Sequence, residues 1–592
     1  MRNGLDVRRR FNLRLLFFYA ATLGFFGLIL AHLADMQLVK HKQYLLQSDR
    51  NRINVVPVLP ERGMITDVAG RGLAVNRVAY QVLMIPERVT RREQVLRRLA
   101  EMLHWDEARV ARLRKRIAHS RADRPVLLAD RLPWGQVAPL AARLHHFSGI
   151  DVQANSYRYY PYGALTSHVV GYISLATAED VARGYQANEF VGRAGAERAF
   201  EARLHGTPGA RQEEVDAHGR RVAVLQRIPP KTGENVHLSL DVDLQRVAAD
   251  ALGARTGAVV VMDVQTGKLL VLLSRPGYDT NRFITGLEYA QWNAWLRDVR
   301  KPLVNRTIQA AYPPASTFKL VTALAGLRHH IPLATGSSFC PGYLQLADRK
   351  LRCWRHQGHG RVDLRKAIMQ SCDVYFYELG DQLGMGRLAE EARRWGFGEK
   401  TGIILSPEAR GNIPRVGSGR GRWYRGVTMI SAIGQGAVTA TPLQVARFAA
   451  AIANGGRLLR PQLDADAAPV VERIIDVAPA ALQRVREAMR AVVAERKGTA
   501  YYALRHLPWH VAGKTGTAQV VAMRKREAKG ASGYDPHKDH AWFMGFAPYE
   551  QPRIAFAVFV EHGGHGGSAA APVAAAIIRA MAAHADQQGA GT

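Results

Sequence analysis

A serine and a lysine three residues apart at a helix start are the smallest unit in this chain that could do chemistry. In AAYPPASTFKLVTALAGL, Ser316 and Lys319 follow Pro313 and Pro314 and open an apolar-periodic stretch. Proline favours the first helical turn, so Ser316 sits near the helix N-terminus and Lys319 shares its face. A serine hydroxyl is a poor nucleophile until a neighbour removes its proton. A lysine can do so only where burial or another cation depresses its pKa. Such a cation lies in WHVAGKTGTAQ, which reads as a strand carrying Lys514, Thr515, Gly516 and Thr517. A residue as small as Gly516 lets a ligand or a facing side chain approach the backbone. Between the two motifs stands Ser371-Cys372-Asp373. Each pattern alone occurs by chance in long proteins and is equally well a surface helix or strand; their joint order is more specific and points to nucleophilic catalysis by serine. Gly513-Lys514-Thr515 also suggests a phosphate-binding loop, but that motif needs glycine at 508, where the chain has Pro508.

The only three cysteines fall in one window with a histidine: Cys340, Cys353, His359 and Cys372, spaced C-x12-C-x5-H-x12-C. Three cysteines and a histidine form a closed tetrahedral zinc set, which leaves no position for water and so is structural. Two other readings stay open on spacing alone, one disulfide with a free thiol, or three unrelated buried cysteines. His356 is the alternative nitrogen ligand. The HGGHGG run at 562–567 reads as a flexible loop leaving the last strand, and His537 and His540 as surface residues. Trp509, Trp542 and Phe546 read as sheet packing.

These residues need elements to position them. The chain has 592 residues, 81 Lys or Arg against 50 Asp or Glu, a net charge of +31 and 47% apolar residues. That composition excludes a disordered polycation and allows about three or four structural units. Residues 15–34 contain no charged side chain, and 20 helical residues span ~30 Å, a bilayer core. Arg2, Arg8, Arg9, Arg10 and Arg14 precede them against Asp6 alone. The expected layout is a cytoplasmic tail (1–14), one transmembrane helix (15–34) and an extracytoplasmic remainder, with no later segment able to span. Such a layout makes nucleic acid an improbable partner for the positive charge. Residues 89–145 read as helical, and 150–236 as irregular α+β with hairpins. From Leu240 the composition shifts. GAVVVMDVQTGKLLVLLSRP predicts a hairpin over about 257–273, HAWFMGFAP and RIAFAVFVEHG predict two late strands, and an Ala-rich helix runs from about 570 to 583. A mostly helical insert fills 316–500, so the fold class is α+β with an antiparallel sheet.

On these motifs the chain resembles the class B penicillin-binding proteins, and within them the elongation-type peptidoglycan transpeptidases. The resemblance rests on PERGMITD, YYPYGALTSHVVGYI and GRAGAERAFEARLHGTPG in the first half, and on YPPASTFK, SCDVYFY, AIGQGAVTATPLQ, KTGTAQ and HAWFMGFAP in the second. DVAG at 67–70 departs from the family's usual Asp-Arg-Asn-Gly, which leaves one turn in question. The resemblance implies a pedestal (dimerisation-type) domain over 35–239 and a transpeptidase domain over 240–592 with a five-stranded antiparallel sheet. It implies that Ser316 attacks a D-Ala-D-Ala carbonyl with Lys319 as base. Ser371, held by Asp373, relays a proton to the leaving amine. Backbone N–H groups of Ser316 and Thr517 form the oxyanion hole, and Lys514, Thr515 and Thr517 bind the terminal carboxylate along the strand at Gly516. It further implies one structural zinc on Cys340, Cys353, His359 and Cys372, β-lactams as ligands, and a SEDS-family glycosyltransferase and other elongation-complex membrane proteins as partners at the inner membrane. The rivals are a division-type transpeptidase, a scaffold that activates a glycan polymerase without catalysis, and an anchored β-lactamase or antibiotic sensor.

Overall fold

The computed structural model describes residues 3–44, 52–122, 125–186, 188–216, 221–415, 424–520 and 536–589. The chain divides into two compact units, one of residues 1–61, 78–155 and 206–232, the other of 62–77, 156–205 and 233–592.

The first unit opens with a helix, Asn3–Ala34, whose Phe17, Phe18, Leu23, Leu28 and Leu30 are all exposed. Its core is built by Val82, Met84, Leu96, Leu99, Leu113, Val126 and Leu140. The expected helices are Arg92–Leu103, Glu107–Ala118 and Trp134–Ala142. Residues Val126–Leu132, read with them as helical, instead form a strand paired with Tyr80–Met84. The burial of Val126, Leu128 and Ala129 comes from sheet pairing that local periodicity does not show. A three-stranded antiparallel sheet, Ile53–Val58, Gly209–Val215 and Arg221–Ile228, completes the unit.

In the second unit five antiparallel strands run in the order Leu269–Arg275, Gly257–Asp263, Ile554–Val560, His540–Ala547, Ala512–Ala518. The predicted hairpin and both late strands are present. The central strand, IAFAVFV, is buried at every residue, which is why it reads as a continuous apolar run without alternation. Helix Pro442–Ala453 packs on it and is itself buried throughout. Thr441 Oγ1 accepts the Gln444 N–H while Gln444 Oε1 accepts the Thr441 N–H, a reciprocal cap that fixes where the helix starts. Leu443, Phe448 and Ile452 each contribute about 1.5–3 kcal/mol by burial, so Phe448→Ala costs about 3–5 kcal/mol. The insert over 316–500 is less helical than expected, since it carries two small hairpins, Ser337–Cys340 with Gly360–Asp363 and Tyr343–Leu346 with Arg349–Arg352.

Two helices in the described residues are long and apolar enough to cross a membrane, Phe11–Val39 and Gly566–Ala585. The second contains the expected Ala-rich helix, but its length and apolar character run against the expectation that no later segment could span. It packs against Val242–Leu252 and buries Val573, Ile577 and Ile578, so its apolar character belongs to the core.

The motifs of the first half also converge within this unit. Arg62 donates to Glu197 (2.7 Å) and Glu201 (2.6 Å), and Arg158 donates to the other Glu197 oxygen (2.7 Å). Against the cost of burial, the two arginines hold the Glu197 carboxyl below its ordinary pKa. The DVAG turn forms: Gly70, at φ +78, donates to Asp67 O, and Asp67 Oδ1 accepts from Ala69 and Arg71.

Candidate active site and metal centre

Ser316 lies in the 3₁₀ turn Ala315–Thr317 that leads into helix Lys319–Arg328. The turn is wedged between two backbones. The Ala315 N–H donates to Gly434 O (2.8 Å), and a Cβ at Gly434 would lie 2.3 Å from Ala315 O, so only glycine fits there. On the other side the Ala512–Ala518 strand passes with Gly516 against it, where a Cβ would meet Trp542 Cβ at 3.0 Å and Pro314 O at 3.2 Å. Ala315 has φ +52 and Ser371 φ +56, both left-handed without being glycine. Such backbone costs of order 1–3 kcal/mol and persists only where its surroundings hold it.

The helices Lys319–Arg328 and Asp373–Arg394 pack together and bring Lys319 to the Ser371 loop. Lys319 Nζ, fully buried, donates to Asp373 Oδ1 (2.7 Å), Ser371 O (2.9 Å) and Ser371 Oγ (3.3 Å). Lys514 Nζ reaches the same hydroxyl from the strand side, 2.8 Å from Ser371 Oγ, and donates to Thr515 O (2.9 Å). Burial first, and the Lys319 charge second, push the Lys514 pKa well below that of an ordinary lysine; burial raises Asp373, against the pull of Lys319. Asp373 differs from expectation: its carboxylate grips Lys319 and the Trp354 N–H (2.8 Å), and among the described residues it reaches Ser371 through these two, both of which donate to Ser371 O. Ser316 is half-buried and makes no side-chain hydrogen bond among the described residues, and its own N–H has no backbone acceptor.

Ser316, Ser371, Asp373, Thr515, Gly516 and Thr517 line one cavity of about 790 Å³. Sequence reasoning passed over several of its other residues. Thr499 Oγ1 lies 2.6 Å from Thr515 Oγ1, Gln435 Nε2 donates to Thr517 O (3.0 Å), and Trp354 Nε1 donates to Ser371 O (3.1 Å). The HGGHGG run is a wall of the site: His565, Gly566 and Gly567 line it, and a Cβ on Gly566 would sit 2.2 Å from Trp542 O. His540 is not a surface residue but packs against Tyr312, Phe559 and His562, and burial lowers its pKa to about 4. Trp542 and Phe546 are sheet packing, as expected.

Cys340, Cys353, His359 and Cys372 come together, all buried, with their ligand atoms within 4.8 Å of one another. All three cysteines are free thiols. Each ligand comes from a different local element: Cys340 ends one hairpin strand, Cys353 follows another, His359 precedes Gly360–Asp363, and Cys372 caps helix Asp373–Arg394. His359 Nδ1 lies 3.6 Å from both Cys340 Sγ and Cys353 Sγ. Zinc–sulfur bonds of ~2.3 Å place tetrahedral sulfurs ~3.8 Å apart, so a small contraction suits this set to zinc. Sharing a proton with Cys372 lowers the Cys340 and Cys353 thiols against the effect of burial, and the same sharing together with burial raises Cys372.

A family model described as the penicillin binding protein transpeptidase domain matches residues 257–579, and a penicillin-binding protein dimerisation domain matches 57–238. The chain belongs to the penicillin-binding protein transpeptidase family. It is 35% identical over 570 residues to the peptidoglycan D,D-transpeptidase MrdA of Escherichia coli K12, covering 91% of this chain and 89% of that one. Among solved structures it matches penicillin-binding protein 2 of Helicobacter pylori in complex with MreC, at 31% identity and TM-score 0.79, over 90% of this chain and 98% of that one. A chain of a peptidoglycan synthase complex that coordinates polymerisation and crosslinking matches at 31% identity and TM-score 0.73, over 96% and 97%. The transpeptidase is thus a serine acyl-transferase of the penicillin-binding protein 2 type.

Proposed function

We propose that this transpeptidase cross-links peptidoglycan stem peptides during cell elongation through an acyl-enzyme on Ser316. The observation that carries the reading is the convergence of Lys319 and Lys514 on Ser371, beside Ser316 in one cavity. Ser316 Oγ attacks the carbonyl of the penultimate D-Ala, and its proton passes into the lysine–serine cluster. Lys514, whose pKa burial depresses, is the readier acceptor, and Lys319 is held against Asp373 beside it. Ser371 returns a proton to the leaving D-Ala amine. The free Ser316 N–H and that of Thr517 receive the oxyanion, and Thr515 and Thr517 hold the terminal carboxylate. An acceptor amine then resolves the ester. β-Lactams acylate the same serine, so fluorescent penicillin should label the parent and not Ser316→Ala; equal labelling of both overturns the assignment.

Cys340, Cys353, His359 and Cys372 would hold one structural zinc, which would supply a fixed crosslink beneath the Ser371 loop and no chemistry at the carbonyl. Mass spectrometry of the native penicillin adduct reads nucleophile and metal together. The Asn3–Ala34 helix anchors the chain in the inner membrane with its N-terminus in the cytoplasm, a reading supported by its length, exposure and flanking arginines. Partnership with elongation-complex proteins is supported by the solved relatives, one bound to MreC and one in a peptidoglycan synthase complex, and a SEDS-family glycosyltransferase is the polymerising partner the reading adds.

A further inference from the structure

The catalytic assignments leave the basic edge of the cleft without a role. Arg349–His356, RKLRCWRH, carries four permanent cations in eight residues. Arg349, Lys350, Arg352 and Arg355 are exposed, and among the described residues none of them makes an ion pair, although Arg328, Arg425, Arg447 and Arg460 of the same unit each sit on a carboxylate. Like charges crowded on one hairpin repel, and a segment that keeps them at a cleft mouth draws in anions. Arg352 and His356 line the cavity that contains Ser316, with Trp354 between them.

The strip is also held firmly. The Trp354 backbone N–H donates to Asp373 Oδ2 (2.8 Å), and its indole N–H is shared by Gln370 O (3.0 Å) and Ser371 O (3.1 Å). Buried Cys353 accepts the Asp373 N–H (3.4 Å). Trp354 stays 54% exposed, offering a flat apolar surface beside the cations. The cavity, at about 790 Å³, is of the size that buries a drug-sized ligand, more than a terminal dipeptide fills.

We propose that Arg349–His356 is a carboxylate-reading subsite for the part of the stem peptide beyond its D-Ala-D-Ala terminus, with Arg352 as the anion contact and Trp354 as the platform for the chain. The inference rests on the transpeptidase reading above. Donor and acceptor peptides share this chemistry, and kinetics separates them. Full-length protein is assayed with D-Ala-D-Ala peptides that carry one further free carboxylate, and with the same peptides amidated at that group. The parent should favour the carboxylate form about tenfold in kcat/KM, the size of one charge-assisted hydrogen bond. The preference should sit in KM, shrink as salt rises, and vanish in both Arg352→Gln and Arg352→Glu. A donor source shows the preference in hydrolysis without acceptor; an acceptor source shows it only in the transfer product. A parent that prefers neither form, or an Arg352→Gln that loses equally on both, overturns the subsite. Penicillin labelling of the parent and of Ser316→Ala tests the underlying activity separately, so intact labelling without carboxylate preference sinks the subsite alone.

Discussion

Two lysines converge on the Ser371 hydroxyl, and one carboxylate, Asp373, is there to balance them. Burial makes the second charge expensive, so Lys514 gives up its proton far more readily than a lysine in water. Lys514→Met should therefore slow penicillin acylation by roughly 10²–10⁴-fold. The same change should remove a pH dependence of stability. With the folded pKa below the unfolded 10.5, the unfolded chain binds more protons between the two values, and the parent gains stability as pH rises through that window. Scanning calorimetry across pH 7–10 on both proteins checks the slope, and an unchanged acylation rate sinks the proton role. A second outcome concerns Trp354, a positioning residue. Trp354→Phe keeps an aromatic ring and deletes the donor to Ser371 O, so the acylation rate constant should fall about three- to tenfold while penicillin affinity and metal content stay as in the parent. A fall in affinity or metal instead points to a structural role. Ser316, Lys319 and Lys514 were legible because residue type, spacing and the joint order of their motifs mark them together. Trp354, Gln435 and Thr499 were not, because their roles exist only through contacts between distant segments, and Asp373 was misplaced onto Ser371 for the same reason.

At the scale of elements, legibility followed burial pattern. Gly257–Asp263 and Ile554–Val560 are apolar on both faces and bounded by turn residues, which strongly marks strands. Val126–Leu132 is short and flanked by real helices, so its pairing partner decides its state. The hairpins around Cys340 and Cys353 are polar, with little core of their own, and periodicity has nothing to report there; the buried cluster of Cys340, Cys353, His359 and Cys372 brings them together. The short helix Ser167–Val170 was visible only as a motif. It buries His168, whose Nε2 donates to Pro302 O (2.8 Å), and burial lowers its pKa from 6.5 to about 4. The unfolded chain then binds more protons between those values, so the contribution is whole above pH 6.5 and is lost as pH falls toward 4. At pH 5 the loss is about 2 kcal/mol. His168→Gln should flatten the decline in Tm between pH 7.5 and 5, and an undiminished decline would assign acid sensitivity elsewhere, with half-buried His540 the next group to test.

The whole molecule carries +31, and the two long apolar helices among the described residues meet opposite fates. Gly566–Ala585 buries its apolar side chains in the core, whereas Phe11–Val39 exposes them on all sides. A helix apolar all round and uncovered by protein is stable where lipid covers it. The charge adds a weaker, screened attraction to anionic headgroups, worth about 1 kcal/mol per cation close to the surface. The two contributions separate experimentally. Full-length protein should remain with vesicles of neutral phosphatidylcholine at any salt concentration. A chain begun at Asp35 should leave neutral vesicles, bind vesicles containing anionic lipid at low salt, and come off at about 0.5 M salt, where the Debye length is only a few ångströms. Sedimentation with each vesicle type measures all three. If the shortened chain stays on neutral vesicles, the helix is not the sole anchor, and the exposed apolar strand Arg221–Ile228, with Val222, Leu225 and Ile228 outward, becomes the surface to test.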